Sequence, residues 1–272
     1  MEYIILLIVG FIAGTIGSLV GLGGGIVIVP LLTGLGALLH LPNVSPQLAV
    51  GTSIVTVVFT GLSSTLSYMK HKRVDYKSGL LFFLGSGPGS MVGSWANQFF
   101  NQDSFSLYFG IFMIAVSVLL MLKEKLKSVP FSKKRAITRS FITEEGKTVQ
   151  YGFHPATAVI LSFLIGCISG LFGVGGGSLL VPAMLLLFAF PPHIAVATSM
   201  LVVFLSSVTG SITHILLGNV IWLYALLLVP GAWAGGRFGA YINMKLSGKT
   251  IINILRAVLI MIGARMIYQS LF

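Results

Sequence analysis

The sequence contains one glycine-rich stretch twice, and this duplication limits the folds open to the chain more than any other feature. Residues 14–32 read GTIGSLVGLGGGIVIVPLL, and residues 166–184 read GCISGLFGVGGGSLLVPAM. Position 14 recurs at position 166, an offset of 152 residues. The recurring pairs include Gly21 and Gly173, Gly23 and Gly175, Gly24 and Gly176, Gly25 and Gly177, and Pro30 and Pro182. The chain is therefore predicted to consist of two copies of one structural unit.

The match continues beyond these stretches and covers most of both halves. The sequence AVGTS at 49–53 recurs as AVATS at 195–199, an offset of 146 residues. At that offset Gly85, Gly89, Gly93 and Asn97 recur as Gly231, Gly235, Gly239 and Asn243. The period is far longer than the roughly 20 to 50 residues of a solenoid repeat. Long duplications in an apolar chain are typical of membrane transporters built from two repeats.

Composition places the chain in a membrane. Hydrophobic residues make up 56% of it and charged residues 8%, whereas soluble proteins are about 25% charged. An integral membrane protein in contact with a lipid bilayer is predicted. The net charge of +11 comes from basic residues between apolar runs, where such residues set topology rather than bind nucleic acid. Because Cys167 is the single cysteine, no intramolecular disulfide can form.

Apolar runs of about 18 residues or more predict membrane-spanning helices. Eight such runs lie at 3–20, 46–69, 77–99, 105–122, 154–172, 193–216, 220–243 and 250–271. The first lacks the basic start and cleavage site of a signal peptide, so it is predicted to be retained. Two shorter runs, 26–39 and 178–190, follow the glycine clusters. Each is a short crossing or half of a re-entrant hairpin, and the predicted fold is an all-α polytopic bundle of 8 to 10 transmembrane helices.

Loop charges indicate how the two repeats are oriented, because short cytoplasmic loops collect Lys and Arg. The loop at 70–77 and the segment at 123–147 are both basic, while the loop at Gly218 and Asn219 is uncharged. This pattern favours inverted repeats of five crossings each. The alternative is parallel repeats of four crossings each, and Arg265 near the C-terminus supports that alternative. The predicted organisation is a first transmembrane repeat at 1–122, a cytoplasmic connector at 123–153 and a second repeat at 154–272.

The glycine clusters do not match nucleotide-binding motifs, because no strand is predicted before them and no G-K-[ST] directly follows them. Helix packing accounts for the glycines spaced by four, at 85–93 and 231–239. Three consecutive glycines support a helix poorly, so an unwound segment is predicted in each cluster. A helix that restarts there presents free N–H groups and a positive dipole end, which suits an anion. Close packing alone is the alternative explanation.

Hydroxyl side chains recur at matched positions near helix starts, as Thr52 and Ser53 and as Thr198 and Ser199. They could bind an oxyanion, or they could cap or bond back to their own helices. For Asn97 and Asn243, near helix ends, capping is the preferred interpretation. The predicted substrate-binding set is Gly23, Gly24, Gly25, Thr52, Ser53, Gly175, Gly176, Gly177, Thr198 and Ser199. No metal-ligand spacing, cofactor motif or nucleophile–base pair is visible, and all six acidic residues fall at chain ends or in loops.

The paired G-x-G-G-G-x(4)-P blocks, the A-V-[GA]-T-S blocks and the G-x(3)-G-x(3)-G helices together resemble the TauE/SafE family of sulfite exporters, also called the toluene sulfonate uptake permease family. The resemblance spans most of both halves. It implies a multi-pass carrier of the inner (plasma) membrane for small sulfur-containing anions such as sulfite, thiosulfate and sulfonates. The family's glycine-rich segments correspond to residues 21–25 and 173–177 of this chain.

The residues and the resemblance together predict a transporter of sulfur-containing anions and no enzyme. An anion channel is the alternative, since glycine breaks and scarce titratable groups also fit a channel. A carboxylate proton relay is missing from the predicted spans, so export driven by the membrane potential is the expected mode, with proton coupling as the alternative. In the proton-coupled case His214, which takes the place of Tyr68 in the repeat, is the expected proton carrier. The exact anion, the direction and the oligomeric state stay open.

Overall fold

The computed structural model describes residues 2–34, 44–100, 102–122, 137–142, 148–175 and 179–271. Within them the chain forms ten α-helices and one β-hairpin. The elements are α1 (Glu2–Val20), α2 (Gly25–Gly34), α3 (Pro46–Lys70), α4 (Tyr76–Ala96), α5 (Gln102–Leu122), β1 (Ile137–Ile142), β2 (Thr148–Phe153), α6 (Pro155–Phe172), α7 (Leu180–Leu187), α8 (Pro192–Leu216), α9 (Trp222–Lys245) and α10 (Gly248–Leu271). The prediction of an all-α polytopic fold is confirmed.

Five helices among the described residues are long and apolar enough to cross a membrane, namely α1, α3, α6, α8 and α10. The other three predicted spans coincide with α4, α5 and α9, which contain 21, 21 and 24 residues. The two short apolar runs form α2 and α7, of 10 and 8 residues. At about 1.5 Å per residue, neither of these short helices can cross a hydrocarbon core of about 30 Å by itself.

Local sequence explains where several helices begin. Ser45 precedes α3, and its hydroxyl accepts a hydrogen bond from the Leu48 N–H. Asp75 precedes α4, and its carboxylate accepts one from the Ser78 N–H at 3.1 Å. Pro155 and Pro192 occupy the first turns of α6 and α8, where a missing N–H costs no helical hydrogen bond.

Glycines spaced by four bring two pairs of helices into backbone contact, as predicted. A Cβ added at Gly231, Gly235 or Gly239 of α9 would collide with the carbonyl oxygens of Leu7, Phe11 and Thr15 of α1, respectively. A Cβ added at Gly85, Gly89 or Gly93 of α4 would collide with those of Val159, Phe163 and Cys167 of α6. Residue numbers rise together in both sets, so α1 runs parallel to α9 and α4 runs parallel to α6. Each repeat thereby packs its first helix on the other repeat.

Two further interfaces join helices that occupy the same place in the repeat. In the α3–α8 interface, Gly61 packs on Phe204 and Ile54 approaches Gly210. In the α5–α10 interface, Gly110 lies against Gly263, and the Ser117 hydroxyl donates to the Arg256 carbonyl at 3.3 Å. Residue numbers rise on one helix as they fall on the other. At both interfaces the paired helices therefore run antiparallel.

The β-hairpin is the described part of the connector, and it packs on the helices. Its strands are antiparallel, with Ile137 opposite Phe153. The Phe153 ring lies 5.0 Å from the Phe82 ring of α4, and the Tyr151 ring lies 4.2 Å from that of Phe190, in the loop between α7 and α8. Residues 123–136 and 143–147 of the connector lie outside the described residues. The hairpin covers the end of the bundle where α4 and α8 begin.

Candidate functional site

Both glycine clusters interrupt the helices, as predicted. The first break lies between α1 and α2, where Gly21, Gly23 and Gly24 have φ angles of 81°, 77° and 93°. The second follows α6, where Gly173 and Gly175 have φ angles of 75° and 85°. Residues with a Cβ rarely adopt these left-handed conformations, which explains why the breaks are built from glycine. Gly176 and Gly177 lie outside the described residues.

The two breaks meet in the interior of the protein. A Cβ added at Gly25 would collide with the Gly173 carbonyl and lie 2.9 Å from the Val174 Cα. Gly23 and Gly175 both pack against the side chains of Val57 and Val203, each the twelfth residue of a 25-residue helix, α3 or α8. The glycines of both repeats thus come together between the midpoints of α3 and α8.

Each break is held by one serine of the opposite repeat. Ser53 of α3 donates a hydrogen bond to the Gly173 carbonyl at 3.0 Å, and Ser199 of α8 donates one to the Gly21 carbonyl at 2.6 Å. Both serines are fully buried. The sequence predicts that these hydroxyls and the glycine breaks form one site. It does not predict that each serine bonds to the break of the other repeat. Because each serine proton is used in this way, neither is free to bind an anion while the bond persists.

Two asparagines extend the same crossed pattern. Asn243 donates to the Leu19 carbonyl at 2.6 Å, and Asn97 donates to the Leu171 carbonyl at 2.8 Å. Both carbonyls lie at the ends of helices that lead into the breaks, α1 and α6. Capping of their own helices was the preferred interpretation of these side chains, whereas the structure uses them to hold the other repeat.

We expect Asn243→Ala to lower the melting temperature of the purified protein by several degrees. The substitution leaves the buried Leu19 carbonyl without its donor, which costs about 1–3 kcal/mol. Asn97→Ala should have a similar effect, since its bond to Leu171 is equivalent in the repeat. Asn219→Ala, in the loop between α8 and α9, is the control and should melt like the unmodified protein. Unchanged melting of both buried variants would contradict the role of the crossed bonds.

The two threonines lie one residue before the serines and make a different pair of bonds. Thr52 accepts a hydrogen bond from the Ile221 N–H at 3.0 Å, and Thr198 accepts one from the Asp75 N–H at 3.0 Å. Ile221 and Asp75 precede α9 and α4, so each threonine also holds an element of the other repeat. These bonds use the oxygen atoms and leave the hydroxyl protons available to an acceptor.

A basic cavity of about 270 Å³ opens at the surface beside Thr198. It contains one acidic side chain, Asp75, among four cationic ones. Its lining consists of Lys72, Arg73, Val74, Asp75, Tyr76, Lys77, Arg139, Tyr151 and Ile194. Asp75 joins the cavity to the interior, since its N–H bonds to the Thr198 hydroxyl. Loop charges indicated basic residues here, but nothing in the sequence placed them next to Thr198.

Asp75 also anchors the hairpin. Its carboxylate accepts a hydrogen bond from the Tyr151 hydroxyl at 3.0 Å and lies 4.0 Å from the Arg139 Nε. Burial raises the pKa of Tyr151, and the negative charge of Asp75 raises it further. A raised tyrosine pKa means that this bond is fully present at neutral pH. It is lost only as the pH rises above the ordinary tyrosine range near 10.

Tyr151→Phe is expected to loosen the hairpin without removing its aromatic packing. A hydrogen bond to a charged group contributes about 1.5–3 kcal/mol, so the rate of protease cleavage in the connector should rise at least about tenfold at neutral pH. Tyr76→Phe changes an exposed tyrosine of the same cavity and should leave the cleavage rate unchanged. Equal rates for the two variants would show that the bond to Asp75 does not hold the hairpin.

Fold and site together define a polytopic membrane protein whose two repeats share paired glycine breaks. The family model described as "Sulfite exporter TauE/SafE" matches residues 6–266. The chain therefore belongs to the TauE/SafE sulfite exporter family, which confirms the resemblance found in the motifs.

Curated relatives of the chain are named as transporters. "Probable membrane transporter protein YunE" of Bacillus subtilis is 55% identical over 273 residues, which cover 100% of both chains. A "Probable membrane transporter protein" of Methanocaldococcus jannaschii is 27% identical over 97% of this chain and 94% of its own. YfcA of Escherichia coli, of the same description, is 26% identical over 98% and 90%. No solved structure matches the chain. The family match, the names of the relatives and the apolar helices identify this protein as a multi-pass membrane transporter.

Proposed function

We propose that the protein carries sulfur-containing anions such as sulfite, thiosulfate or sulfonates across the inner (plasma) membrane, and that the paired breaks hold the anion. The observation that carries this proposal is the meeting of the two breaks between α3 and α8, each fastened by a serine of the opposite repeat. Membrane proteins keep irregular backbone at depth where it lines a cavity or is buried in protein. The family description supports the substrate class.

The chemistry at the breaks suits an anion. The N–H groups of Val27 and Ile28 bond to the Gly24 carbonyl, whereas those of Gly25 and Ile26, at the start of α2, have no helical carbonyl to bond to. The dipole of the helix adds partial positive charge at this end. The hydroxyl protons of Thr52 and Thr198 supply further donors. Outside the breaks, the four cations of the basic cavity raise the local concentration of anions beside Thr198. No acidic side chain of the described residues lies within a helix interior.

We also propose that the repeats are inverted across the membrane. Support comes from the α3–α8 and α5–α10 interfaces, where equivalent helices run antiparallel. Contact between the hairpin and Asp75 supports a common side for the connector and the basic loop before α4, as their charges predict. In inverted repeats, substrate sites typically lie where the repeats meet near the bilayer midplane.

Cysteines placed at positions 73 and 219 are expected to lie on opposite sides of the membrane. Position 73 is in the basic loop predicted to be cytoplasmic, and position 219 is in the uncharged loop between α8 and α9. In a Cys167→Ser background, an impermeant thiol reagent should label the first only after the membrane is opened and the second in intact cells. Labelling of both from one side would favour parallel repeats instead.

The function is tested with purified protein in liposomes. Vesicles preloaded with unlabelled sulfite, thiosulfate or a small sulfonate should accumulate the labelled anion transiently by saturable counterflow. Chloride and a carboxylate of similar size serve as comparison anions. Rapid equilibration without counterflow would indicate the alternative, an anion channel, and lack of flux for every sulfur anion would contradict the proposal.

A further inference from the structure

A row of buried polar side chains runs along α4 and α8 away from the second break. This polar row consists of Ser86, Ser90 and Ser94 of α4 and Ser207, Ser211 and His214 of α8. Ser211 is 6% exposed and the other five are fully buried. Among the described residues, none of the five hydroxyls has a hydrogen-bond partner, and neither do the two ring nitrogens of His214.

The polar row connects the break to the far end of α8. At the inner end, the Ser207 hydroxyl lies 2.8 Å from the position of a Cβ added at Gly175. Further along, the hydroxyls of Ser90 and Ser94 lie 2.6 and 3.2 Å from a Cβ added at Gly210. His214 is in the last turn of α8. Because α8 begins beside the basic cavity, the row ends at the opposite end of the molecule.

The α3–α9 interface, which corresponds to α4–α8 in the repeat, carries fewer hydroxyls at the equivalent positions. At the repeat offset of 146, the counterparts are Ala232, Gly236 and Ala240 of α9 and Gly61, Thr65 and Tyr68 of α3. Four hydroxyls are thereby replaced by hydrogen or a methyl group. Tyr68 takes the place of His214, and its hydroxyl donates to the Ser18 carbonyl at 2.9 Å. Alanine and glycine suffice for helix packing at the α3–α9 interface, so packing does not account for the serines of the polar row.

Buried hydroxyls and imidazoles are costly unless they form hydrogen bonds, and in proteins their missing partners are usually water molecules. Waters bonded to successive members of the row would form a chain from the break to the end of α8. The row supplies hydroxyl and imidazole groups and no carboxylate, which suits the passage of an anion rather than a cation. At the α3–α9 interface the Ser63 and Ser64 hydroxyls donate to the Trp233 and Gly236 carbonyls. Among the described counterparts of the row, Thr65 alone has a buried hydroxyl without a partner.

We propose that the polar row is the water-lined path by which a small anion passes between the glycine breaks and the membrane face where α8 ends. The identity of the anion rests on the proposed function. The presence of water along the row does not. The path runs along the α4–α8 interface, which joins one helix of each repeat. On the opposite face, the route from the breaks leads past Thr198 to the basic cavity.

Cysteine accessibility in membrane vesicles of the full chain tests this path. In a Cys167→Ser background, Ser94→Cys and Ser211→Cys place thiols in the row, and Ala240→Cys places one at the counterpart of Ser94. The probe is a negatively charged, membrane-impermeant methanethiosulfonate reagent. We expect both row cysteines to react at least tenfold faster than the cysteine at position 240, and only from the face where α8 ends.

Several outcomes would overturn the path. Equal reaction rates at positions 94 and 240 would show that the α4–α8 interface is no more accessible than the α3–α9 interface. Failure of both row cysteines to react, while a cysteine at position 219 is labelled, would show that the row is dry. Faster reaction with a positively charged reagent of similar size would contradict selectivity for anions. Labelling does not depend on a particular substrate, so labelled row cysteines in a protein that moves no sulfur anion would contradict the proposed function and leave the path intact.

Discussion

Gly24→Leu is expected to abolish transport while the chain still inserts into the membrane. Gly24 has a φ of 93°, and leucine in such a conformation is strained by about 1–3 kcal/mol. Its Cβ would also lie 2.7 Å from the Ala13 carbonyl oxygen, in the backbone of α1. Relief of this collision requires α2 to move away from α1, which separates the two breaks. Flux in liposomes and the amount of protein in the membrane fraction are the measurements.

Gly218→Leu is a matched control for this substitution. Gly218 also has a positive φ, of 70°, but a Cβ added there meets no atom within 4 Å. The variant therefore carries the backbone strain without the collision, and it should transport normally. Gly176→Leu, at the equivalent position of the other repeat, is expected to fail like Gly24→Leu. Normal flux through Gly24→Leu would remove the first break from the proposed site.

Anion efflux is expected to depend strongly on the membrane potential. When an anion leaves a cell with a negative interior, the electrical free energy falls by about 2.3 kcal/mol per charge per 100 mV. For a doubly charged anion the fall is about 4.6 kcal/mol, which corresponds to a concentration ratio of more than about a thousandfold. Export then needs no carboxylate relay. The one carboxylate whose surroundings the described residues define, Asp75, lies before α4 and bonds to Tyr151 and Ser78.

The measurement is flux in liposomes with a potential set by potassium and valinomycin. Flux should change with the imposed voltage. A pH gradient of equal size, imposed without a voltage, should have little effect on it. The reverse result would exclude simple electrogenic efflux and favour coupling to protons. In that case His214→Tyr, which installs the residue found in the other repeat, should abolish the response to the pH gradient.

Features set by short stretches of sequence could be predicted. Apolar length locates the helices, consecutive glycines locate the breaks, and a spacing of four places Gly85, Gly89 and Gly93 against a neighbouring backbone. The partners of Ser53 and Asn97 could not be predicted in this way. A hydroxyl or amide near a helix end fits a local cap as well as a distant carbonyl, and only the assembled bundle decides between them.

The connector and the polar row show a second limit of sequence patterns. A basic, polar segment predicts a loop on one side of the membrane, but the docking of Tyr151 and Phe153 depends on apolar surface supplied by α4 and by the loop after α7. Ser86, Ser90 and Ser94 have the size and spacing of packing residues. Their lack of partners becomes evident only when the carbonyls and side chains around them are known.

The crossed bonds between the repeats bear on how the two halves of such a gene can diverge after duplication. In each bond a side chain of one half is paired with a main-chain carbonyl of the other, at Gly21, Gly173, Leu19 and Leu171. Any amino acid provides a carbonyl, so these hydrogen bonds fix only the donor side chain. At positions 19 and 171 the acceptor residue can therefore change while the bond persists, whereas Gly21 and Gly173 are constrained by their positive φ angles. Neither half alone possesses a complete set of donors and acceptors for its own break.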